Sequence, residues 1–463
     1  MTLPLIRDVP ELAGKRVTVL GLGLFGGGLG VARFLVSQGA RVTVTDAKSE
    51  TELRESVEQL RPLPVTLRLG GHDERDFRDA DLVVVNPAVP ETHPMLKLAR
   101  ALDTEMNLFF KLCCAGRIVG VTGSNGKTTT TTLVGEILKK HPQRVWVGGN
   151  IGVSLLDALP EVRPEDLVVL ELSSFQLENL GTLGRSPHVG AVLNLSPNHL
   201  DRHGTMENYI AAKRQIVAHP PGDVKILNWD DPVARGFASA SPSRSFYFSL
   251  REAPPDGVLA RNETLEHVDA AIDVSRRRIP GWFNLANMAA ASLLTAPAAV
   301  GGWSAEQWRA ACMDVFNSFP GVEHRLEFVA EKGGVKYYND SKATDAEATI
   351  AALDTLPGPF VLILGGFDKK TPWEAFARAV AEKPVRAAVL MGQTAPAIEA
   401  ALRASARVPE IVRVGTIDDA VRFPARPGET VLLSPACASW DMFRNFTERG
   451  QRFKALVAAL PPG

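Results

Sequence analysis

A short glycine-containing loop carries the residues with the clearest chemical potential. The segment Gly123–Thr128 follows an apolar run, Arg117–Val121, and precedes a predicted helix. Backbone N–H groups in such a loop surround phosphates, the lysine reaches the terminal phosphates, and the threonine hydroxyl ligates Mg²⁺. The pattern alone indicates ATP or GTP. It predicts that the phosphates are bound by Gly123, Ser124, Asn125, Gly126, Lys127, Thr128 and Thr129.

The loop departs from the usual G-x-x-x-x-G-K-[ST] pattern at one position. The first glycine of that pattern corresponds to Val121, and Gly120 lies one place too early. The two later glycines, the lysine and the threonine keep their spacing. We therefore interpret the segment as a phosphate-binding loop in spite of the missing glycine.

Three further side chains could complete a metal site near this loop. A P-loop needs a carboxylate for its magnesium, and Glu171 follows the apolar run Leu167–Leu170, where a strand should end. His199 lies in a polar turn and is equally consistent with a metal ligand and with a turn cap. Lys213 lies on a predicted helix, 208–218, where its residue type alone favours a solvated lysine. Glu171 is thus the predicted ligand, the role of His199 stays open, and Lys213 is interpreted as a solvated lysine.

A second glycine loop lies near the N-terminus. Gly21–Gly26 has the pattern G-x-G-x-x-G between a predicted strand and helix, and Asp46 ends the next strand 20 residues later. Such glycines let the backbone approach a diphosphate, and the carboxylate can bind a ribose. A nucleotide or dinucleotide site of the NAD type and a purely structural turn both remain open. The helix start should be weakened by three extra glycines, Gly27, Gly28 and Gly30.

Composition and charge exclude several classes of protein. The 463 residues carry a formal net charge of -1, so there is no bulk electrostatic argument for nucleic-acid binding. The four cysteines form no C-x-x-C pair, which fits reduced thiols in a cytoplasmic protein. We predict no signal peptide and no membrane span, because the longest apolar stretch, 285–300, is interrupted by polar residues and proline.

Short apolar runs alternate with helical patterns, which predicts the α/β class with parallel sheets. The runs are Arg16–Leu20, Arg41–Thr45, Leu82–Val85, Arg117–Val121, Leu167–Leu170, Gly190–Leu193, Phe360–Leu364, Ala387–Leu390 and Thr430–Leu433. They fall into three groups, which predicts three domains with boundaries near residues 105 and 320. Residues 1–105 and 321–463 should form Rossmann-like domains, and 106–320 a P-loop-type domain with a parallel sheet.

Six further segments have distinctive sequences: Val147–Gly152, Glu171–Glu178, His199–His203, Glu323–Arg325, Asn339–Thr344 and Leu433–Asp441. Together they resemble the Mur ligase family of peptidoglycan precursor synthesis, and the similarity runs from the first strand to the C-terminus. The stretch Asp340–Thr344 is the most discriminating, because sister ligases differ in the domain that handles the amino acid. The resemblance implies a cytoplasmic, monomeric ligase that uses ATP to add D-glutamate to UDP-N-acetylmuramoyl-L-alanine through an acyl phosphate.

The resemblance also implies a site for the UDP-linked substrate and two magnesium sites. The substrate would contact Gly23, Leu24, Phe25, Asp46, Asn150, Ser173 and Gln176. Thr128 and Glu171 would hold the first Mg²⁺, and His199 and Lys213 the second. Lys213 would be carbamylated by CO₂, which requires burial that depresses the lysine pKa. The catalytic residues would be Lys127, His199 and Lys213.

The remaining implied contacts involve ATP and the amino acid. ATP would also contact Asn284, Asn287, Arg325 and Asp340. D-Glutamate would be bound by Lys342, Thr344, Lys369, Ser439 and Phe446. Without the resemblance, Lys369 would be interpreted as a solvated loop charge and Phe446 as a core residue. Two positions depart from the family pattern, since Phe283 replaces a histidine and Asn198 replaces a frequent aspartate.

Three alternatives follow from parts of the sequence. Another ligase of the same fold, such as a sister Mur enzyme or a folylpolyglutamate synthetase, is disfavoured by Asp340–Thr344. A catalytically silent UDP-sugar-binding protein is disfavoured by the intact Lys127, Glu171, His199 and Lys213. An NAD dehydrogenase would explain only about the first 100 residues, where the dinucleotide-type loop lies.

Overall fold

The computed structural model describes residues 5–6, 8, 10–23, 27–151, 154–368 and 371–461. In these residues three β-sheets follow one another along the chain, each with its own helices, which confirms the predicted α/β class with three domains. By their contacts the residues form two compact units, Met1–Arg276 with Phe283–Asn317 and Arg277–Trp282 with Ser318–Gly463. The boundaries at 105 and 320 stay predictions.

The N-terminal sheet is parallel throughout. Its strands β1 to β5 are Arg16–Leu20, Arg41–Asp46, Val65–Leu69, Leu82–Val85 and Leu102–Thr104. Helices α1 to α4 are Gly27–Ser37, Arg54–Leu60, Arg75–Arg78 and Glu105–Leu112. The order β3-β2-β1-β4-β5 reverses between β1 and β4, which is where doubly wound sheets bind ligands beyond the strand ends. The glycine loop follows β1, and Asp46 ends β2.

The glycines at the start of α1 allow close packing. A Cβ atom on Gly28 would lie 2.5 Å from the backbone oxygens of Gly21 and Leu22, and one on Gly30 would lie 2.3 Å from Ser154 Cβ. No side chain fits at such distances, so the helix can approach the loop after β1 and the segment at Ser154 only with glycine there. The cost in helix propensity, about 1 kcal/mol for each glycine, is a consequence of this packing.

The central sheet contains both predicted site elements on adjacent strands. Strands β6 to β14 are Arg117–Thr122, Val145–Gly149, Leu167–Glu171, Val189–Val192, Val224–Asn228, Arg244–Ser249, Gly257–Arg261, Thr264–His267 and Ala270–Asp273. Helices α5 to α12 are Lys127–Leu138, Ser174–Leu183, Leu200–His203, Met206–Arg214, Pro232–Gly236, Trp282–Thr295, Pro297–Val300 and Ala305–Ser318. The strand order is β14-β13-β12-β11-β10-β9-β6-β8-β7. Because β6 pairs in parallel with β8, Val121 lies opposite Glu171, just before the phosphate loop begins.

One end of the central sheet departs from the predicted parallel arrangement. β12 pairs antiparallel with β13, and β13 pairs antiparallel with β14. The turn between β12 and β13 consists of Asn262 and Glu263, both with positive φ, 48° and 61°. Two successive left-handed residues make the tight turn that antiparallel hairpins favour. The usual sequence signal for this turn is Asn-Gly, and glutamate in the second position conceals it.

The C-terminal sheet combines parallel pairing with one antiparallel strand. Strands β15 to β20 are Glu327–Lys332, Val335–Asn339, Phe360–Leu364, Val385–Leu390, Glu410–Arg413 and Thr430–Leu433. Helices α13 to α17 are Ala346–Thr355, Glu374–Ala381, Ala395–Arg403, Ile417–Val421 and Phe446–Ala459. The order is β15-β16-β20-β17-β18-β19, with only β15 and β16 antiparallel among these strands. The ends of β16, β20 and β17 therefore meet at one edge.

Short 3₁₀ helices connect several of these elements, at Pro94–Leu98, Leu159–Glu161, Gln215–Val217 and Phe237–Ala240. A helix that crosses a lipid bilayer needs about 20 predominantly apolar residues. None of the helices in the described part of the chain combines the length and the apolar character that such a crossing requires.

Candidate active site

The phosphate loop is held in place by the end of the neighbouring strand β9. Ser124 N donates to Asn194 O at 2.8 Å, Asn125 N donates to Asn194 Oδ1 at 2.8 Å, and Asn194 Nδ2 donates back to Asn125 O at 3.1 Å. Asn194 thus binds the loop through its backbone carbonyl and through both the oxygen and the nitrogen of its side-chain amide. Sequence reasoning assigned no role to this asparagine, although its place after an apolar run is a usable signal.

Lys127 starts helix α5 and folds over the loop. Its ammonium donates to Gly123 O and Ser124 O, both at 2.9 Å. The preceding Gly126 has φ 83°, a left-handed conformation that favours glycine and turns the chain into the helix. The lysine charge and the backbone N–H groups of the first helical turn lie together, as phosphate binding requires. Thr128, the other predicted ligand, is buried in the first turn of α5.

The structure brings the two predicted asparagines of α10 to this loop. A Cβ atom on Gly126 would lie 2.3 Å from Asn287 Oδ1, so the loop backbone and the Asn287 amide are in close contact. The same oxygen accepts a hydrogen bond from Thr130 Oγ1 at 3.3 Å, and Asn287 Nδ2 donates to Asn284 Oδ1 at 3.3 Å. Asn284 and Asn287 therefore lie beside the phosphate loop, and their contact with ATP stays a prediction.

The close approach at Gly126 leads to a stability prediction. Gly126→Ala should lower the midpoint of chemical denaturation, because it adds left-handed strain of roughly 1–2 kcal/mol to a clash with Asn287. Gly184→Ala is the matched control, since Gly184 also has positive φ, 69°, and no atom lies within 4 Å of its Cβ position. Equal losses in the two variants would contradict the packing of Gly126 against Asn287.

Glu171 carries a buried carboxylate whose two oxygens have different surroundings. Its side chain is 2% exposed at the end of β8, and Asn150 Nδ2 donates to Glu171 Oε1 at 2.9 Å. Among the described residues, the other oxygen, Oε2, accepts no hydrogen bond. A buried carboxylate oxygen without a partner is costly, and a divalent cation would satisfy it. The site therefore fits a metal ion, and Asn150 orients the carboxylate that would hold it.

Lys213 is a buried lysine, not the solvated one that its residue type alone favours. It lies on α8, is 1% exposed, and donates to Thr122 Oγ1 at 3.1 Å and to Gly123 O at 3.0 Å. Burial, and next the positive charge of Lys127, lower the pKa of Lys213 well below its usual range. Burial therefore favours the neutral form of an amine that lies against the phosphate loop, and a lysine pKa depressed by burial is what carbamylation would require.

His199 belongs to a chain of aromatic contacts that leads to the phosphate loop. It is exposed and has φ 53°, immediately before α7. Its ring lies 5.1 Å from that of Phe175, which stacks on His203 at 5.2 Å, and His203 lies 5.5 Å from Tyr209. The Tyr209 hydroxyl is 2.9 Å from Ser124 Oγ in the loop. His199 and the loop are thus joined by a continuous set of packed side chains.

Ser173 and Gln176 hydrogen bond to each other at the start of α6. Ser173 Oγ accepts from Gln176 N at 3.3 Å, and Gln176 Oε1 accepts from Ser173 N at 2.9 Å. This reciprocal pair is a capping box, whose Ser-x-x-Gln spacing was visible in the sequence but was not used. The two residues therefore fix the helix that follows Glu171, and their contact with substrate stays a prediction.

Asp46 is bound to the glycine loop of the N-terminal domain. Its Oδ2 accepts from Gly23 N at 3.1 Å, and its Oδ1 accepts from Lys48 N at 2.9 Å. Asn86, at the end of β4, donates from Nδ2 to Gly21 O at 3.3 Å and was missed by sequence reasoning. Together they shape the loop that is predicted to bind the UDP diphosphate. The predicted contacts Leu24 and Phe25 lie outside the described residues.

In the C-terminal unit, the carboxylate of Asp340 binds the backbone next to Arg325. Asp340 Oδ1 accepts from Leu326 N at 3.1 Å, and Oδ2 accepts from Ser434 Oγ at 2.8 Å. Burial raises the pKa of Asp340 to about 7. Arg325 lies between His324 and Leu326, which both have left-handed backbones, φ 64° and 46°. Within the described part of the chain, Arg325 Nε is buried without a hydrogen-bond acceptor, so it is available to an anionic ligand.

A buried arginine that sequence reasoning missed joins the loops of the predicted amino-acid site. Arg449, 1% exposed on α17, donates to Ser341 Oγ at 3.0 Å, Ser341 O at 2.8 Å and Cys437 O at 3.0 Å. Ser439 is also buried, and its hydroxyl has no partner among the described residues. The ammonium of Lys342 lies 5.7 Å from the ring of Phe446. Thr344 is partly buried, and Lys369 lies outside the described residues.

Comparison with known families assigns the chain to a class. The MurD-like N-terminal domain of Mur ligases matches residues 15–107, the Mur ligase middle domain matches 121–295, and the glutamate ligase domain of Mur ligases matches 324–437. Together with the relatives described next, these matches show that the chain belongs to the Mur ligase family.

Similar full-length proteins bear the name UDP-N-acetylmuramoylalanine--D-glutamate ligase. The one from Roseiflexus sp. (strain RS-1) is 45% identical, over 96% of this chain and 99% of its own length. The one from Symbiobacterium thermophilum is 44% identical, over 96% of this chain and 98% of its own. At this identity and coverage the whole chain, including all three domains, is similar to these ligases.

Solved structures show the same fold at lower sequence identity. The UDP-N-acetylmuramate-alanine ligase MurC of Thermotoga maritima superposes with a TM-score of 0.64 at 19% identity, covering 96% of this chain and 99% of that one. The MurF ligase of Thermotoga maritima in complex with ADP gives a TM-score of 0.57 at 18% identity, covering 99% and 98%. These similarities show the fold alone.

Proposed function

We propose that the chain is an ATP-dependent ligase that joins D-glutamate to UDP-N-acetylmuramoyl-L-alanine in the synthesis of peptidoglycan precursors. The observation that carries the proposal is the phosphate loop with Lys127, Glu171 and the buried Lys213 beside it. The near full-length similarity to D-glutamate ligases supports this substrate pair over those of sister ligases.

The reaction begins with activation of a carboxylate. A carboxylate is a poor electrophile for an amine, so an oxygen of the L-alanine carboxylate attacks the γ-phosphorus of ATP, and ADP leaves. The amine of D-glutamate then attacks the carbonyl carbon of the acyl phosphate, loses a proton, and inorganic phosphate leaves. Lys127 and the N–H groups of Gly123–Thr128 compensate the phosphate charge during the first step, since phosphoryl transfer depends on positioning and electrostatics.

Two magnesium ions would complete this site. Thr128 and Glu171 would hold the first, and His199 and carbamylated Lys213 would hold the second. Bound Mg²⁺ would neutralise phosphate oxygens and orient them for in-line transfer. Asn150 contributes by orienting the Glu171 carboxylate through its hydrogen bond to Oε1. Lys127, His199 and Lys213 are the proposed catalytic residues.

The burial of Lys213 supports the proposed carbamylation of its amine. The neutral amine attacks CO₂, a carbon–nitrogen bond forms, and a proton is released to give an anionic carbamate that can ligate a metal. The pKa of the amine is lowered by burial and by Lys127, so the reactive neutral form persists below the pH at which an exposed lysine becomes charged. Depression of the pKa thus favours the modification.

A labelling experiment tests this modification. Protein equilibrated with ¹³C-bicarbonate should show a carbamate carbonyl signal in ¹³C NMR. Lys213→Arg should abolish the signal, because the guanidinium stays charged. Lys225→Arg is the matched control, since Lys225 is also buried but donates to Ala238 O and Ser241 O, away from the loop. A signal that survives in Lys213→Arg would contradict the assignment.

The substrate contacts complete the proposal. The UDP-linked substrate would bind at Gly23, Leu24, Phe25, Asp46, Asn150, Ser173 and Gln176. ATP would also contact Asn284, Asn287, Arg325 and Asp340. D-Glutamate would be bound by Lys342, Thr344, Lys369, Ser439 and Phe446. The two lysines suit an amino acid with two carboxylates, and the unpartnered hydroxyl of Ser439 offers a donor that water does not reach.

Amino-acid selectivity tests the proposed function. Phosphate release from ATP should require both UDP-N-acetylmuramoyl-L-alanine and D-glutamate, because the acyl phosphate forms on one and is consumed by the other. L-Lysine or L-alanine in place of D-glutamate should give a much lower rate. Equal turnover with L-lysine would instead indicate a sister ligase, and phosphate release without any amino acid would contradict ligation.

A further inference from the structure

Arg202 of the central domain reaches into the N-terminal domain. It lies on α7, and its guanidinium donates to Pro87 O and, at 3.4 Å, to Val89 O, both in the loop after β4. Two backbone carbonyl oxygens of the N-terminal domain therefore accept hydrogen bonds from the guanidinium of Arg202. Charge-assisted hydrogen bonds of this kind fix geometry more tightly than neutral ones. Both domains belong to the same compact unit.

The loop that Arg202 holds packs on the glycine loop. Asn86 Nδ2 donates to Gly21 O, and a Cβ atom on Gly21 would lie 2.9 Å from Asn86 Cβ and 3.3 Å from Val89 Cγ2. There is no spare room between the two loops. A shift of Pro87 or Val89 must therefore change the shape of the glycine loop, where the UDP diphosphate is proposed to bind.

The guanidinium of Arg202 also packs on the ring of Phe175, which in turn contacts the ring of His199. Arg202 Cζ lies 4.1 Å above the centroid of Phe175, and the rings of Phe175 and His199 are 5.1 Å apart. His199 directly precedes the short helix that carries Arg202, and its left-handed backbone places it there. Burial raises the pKa of the nearby Glu178, while the charge of Arg202 opposes that shift. The guanidinium thus lies in the middle of a path of contacts, which runs through Val89 to the glycine loop and through Phe175 to His199.

We propose that Arg202 is a positioning residue that couples binding of the UDP-linked substrate at the glycine loop to the placement of His199 at the second metal ion. This inference rests on the proposed function. Substrate bound beside Gly21 and Gly23 keeps Pro87 and Val89 against the guanidinium, which keeps Phe175 and His199 in place. Without Arg202, the contact between the glycine loop and Val89 still forms, and so does the contact between Phe175 and His199. Neither contact then stabilises the other.

Lysine is a poor substitute in this role. An ammonium is a point charge and cannot donate in plane to two carbonyls while stacking on an aromatic face. Arg202→Lys should therefore show the same defect as Arg202→Met to a smaller degree. Arg235→Met is the matched control, because Arg235 Cζ lies 4.8 Å from the centroid of Trp229 and Arg235 Nη1 donates to Trp229 O, both within the central domain.

The test is a comparison of apparent affinities in the full-length enzyme. In Arg202→Met, the KM for UDP-N-acetylmuramoyl-L-alanine and the Mg²⁺ concentration for half-maximal activity should each rise roughly tenfold, the effect of losing one charged hydrogen-bond pair. The KM for D-glutamate should stay the same. Arg235→Met should change none of the three. Calorimetric titration measures the affinity for the UDP-linked substrate with and without Mg²⁺ and ADP. Mg²⁺ and ADP should change this affinity in the wild type but not in Arg202→Met.

Each outcome is decisive. A wild-type protein that does not ligate D-glutamate would overturn the proposed function, whereas an active wild type with unchanged parameters in Arg202→Met would overturn only the role of Arg202. A rise of all three constants together, with a lower melting temperature, would show a merely structural role. If Arg202→Met does not fold, Arg202→Lys decides, since wild-type values in that variant would also overturn the inference.

Discussion

Lys127→Ala is expected to reduce turnover by at least about 10³-fold, the scale seen when a preorganised charge partner of a reacting group is removed. The Lys127 ammonium lies at the phosphate loop, bonded to Gly123 O and Ser124 O. Alanine leaves the transferred phosphoryl group without this cation, and the backbone N–H groups alone compensate less of its charge. Steady-state formation of ADP in the presence of both other substrates measures the loss.

Lys139→Ala is the matched control for this variant. Lys139 follows the same helix α5, and its ammonium pairs with Glu136 at the surface. Exposed pairs of this kind contribute little to stability, so the control should keep both its activity and its melting temperature. Full activity in Lys127→Ala would contradict the assignment of the loop as the phosphate site, whatever the control shows.

Glu171→Gln is expected to have the second largest effect, and its effects on activity and stability should have opposite signs. The amide keeps the oxygen that accepts from Asn150 Nδ2 but removes the negative charge that a metal ion needs. Turnover should fall roughly 10²–10³-fold, and the Mg²⁺ requirement should rise. The metal-free protein should melt at a higher temperature, because the substitution removes a buried charge whose Oε2 has no hydrogen-bond partner among the described residues.

Glu161→Gln serves as the control, since Glu161 is an exposed partner of Arg144. Neither Mg²⁺ dependence nor melting temperature should change appreciably in that variant. Two results would count against a metal ligand at Glu171. One is an unchanged Mg²⁺ requirement in Glu171→Gln, and the other is a large loss of stability in the metal-free protein.

The buried strands and the loops that follow them could be predicted from sequence. Each apolar run that was interpreted as a strand is one, with ends within two residues of those observed. Strands buried on both faces are continuous apolar runs, so the signal is strong. The phosphate loop and Glu171 follow from the same logic, because parallel strands end at a common edge. Their register, with Val121 opposite Glu171, confirms that they are neighbours.

Burial of polar side chains could not be predicted in the same way. Lys213 and Arg449 lie on helices whose sequences contain other charged residues, so neither differs in type from a surface residue. What distinguishes them is the set of carbonyl oxygens that the fold brings to each, Gly123 O for Lys213 and Ser341 O for Arg449. Those acceptors are distant in sequence, and only the resemblance to a family singled out Lys213.

Local hydrogen bonds account for other differences between sequence and structure. Ser173 and Gln176 were assigned to substrate by resemblance, and the structure shows them paired as a helix cap. Asp46 was expected to face a ribose, and its oxygens accept from Gly23 N and Lys48 N. Such side chains can both shape a loop and border a ligand. Their substrate contacts therefore remain predictions that the fold does not decide.

The central claim is that the phosphate loop activates a carboxylate for amide formation. The most direct measurement uses UDP-N-acetylmuramoyl-L-alanine with ¹⁸O in both carboxylate oxygens, followed by mass analysis of the phosphate released during ligation to D-glutamate. Phosphoryl transfer to that carboxylate predicts one ¹⁸O atom in each phosphate and one in the new amide. Unlabelled phosphate, with both labels retained elsewhere, would show that ATP is hydrolysed by water and would contradict the claim.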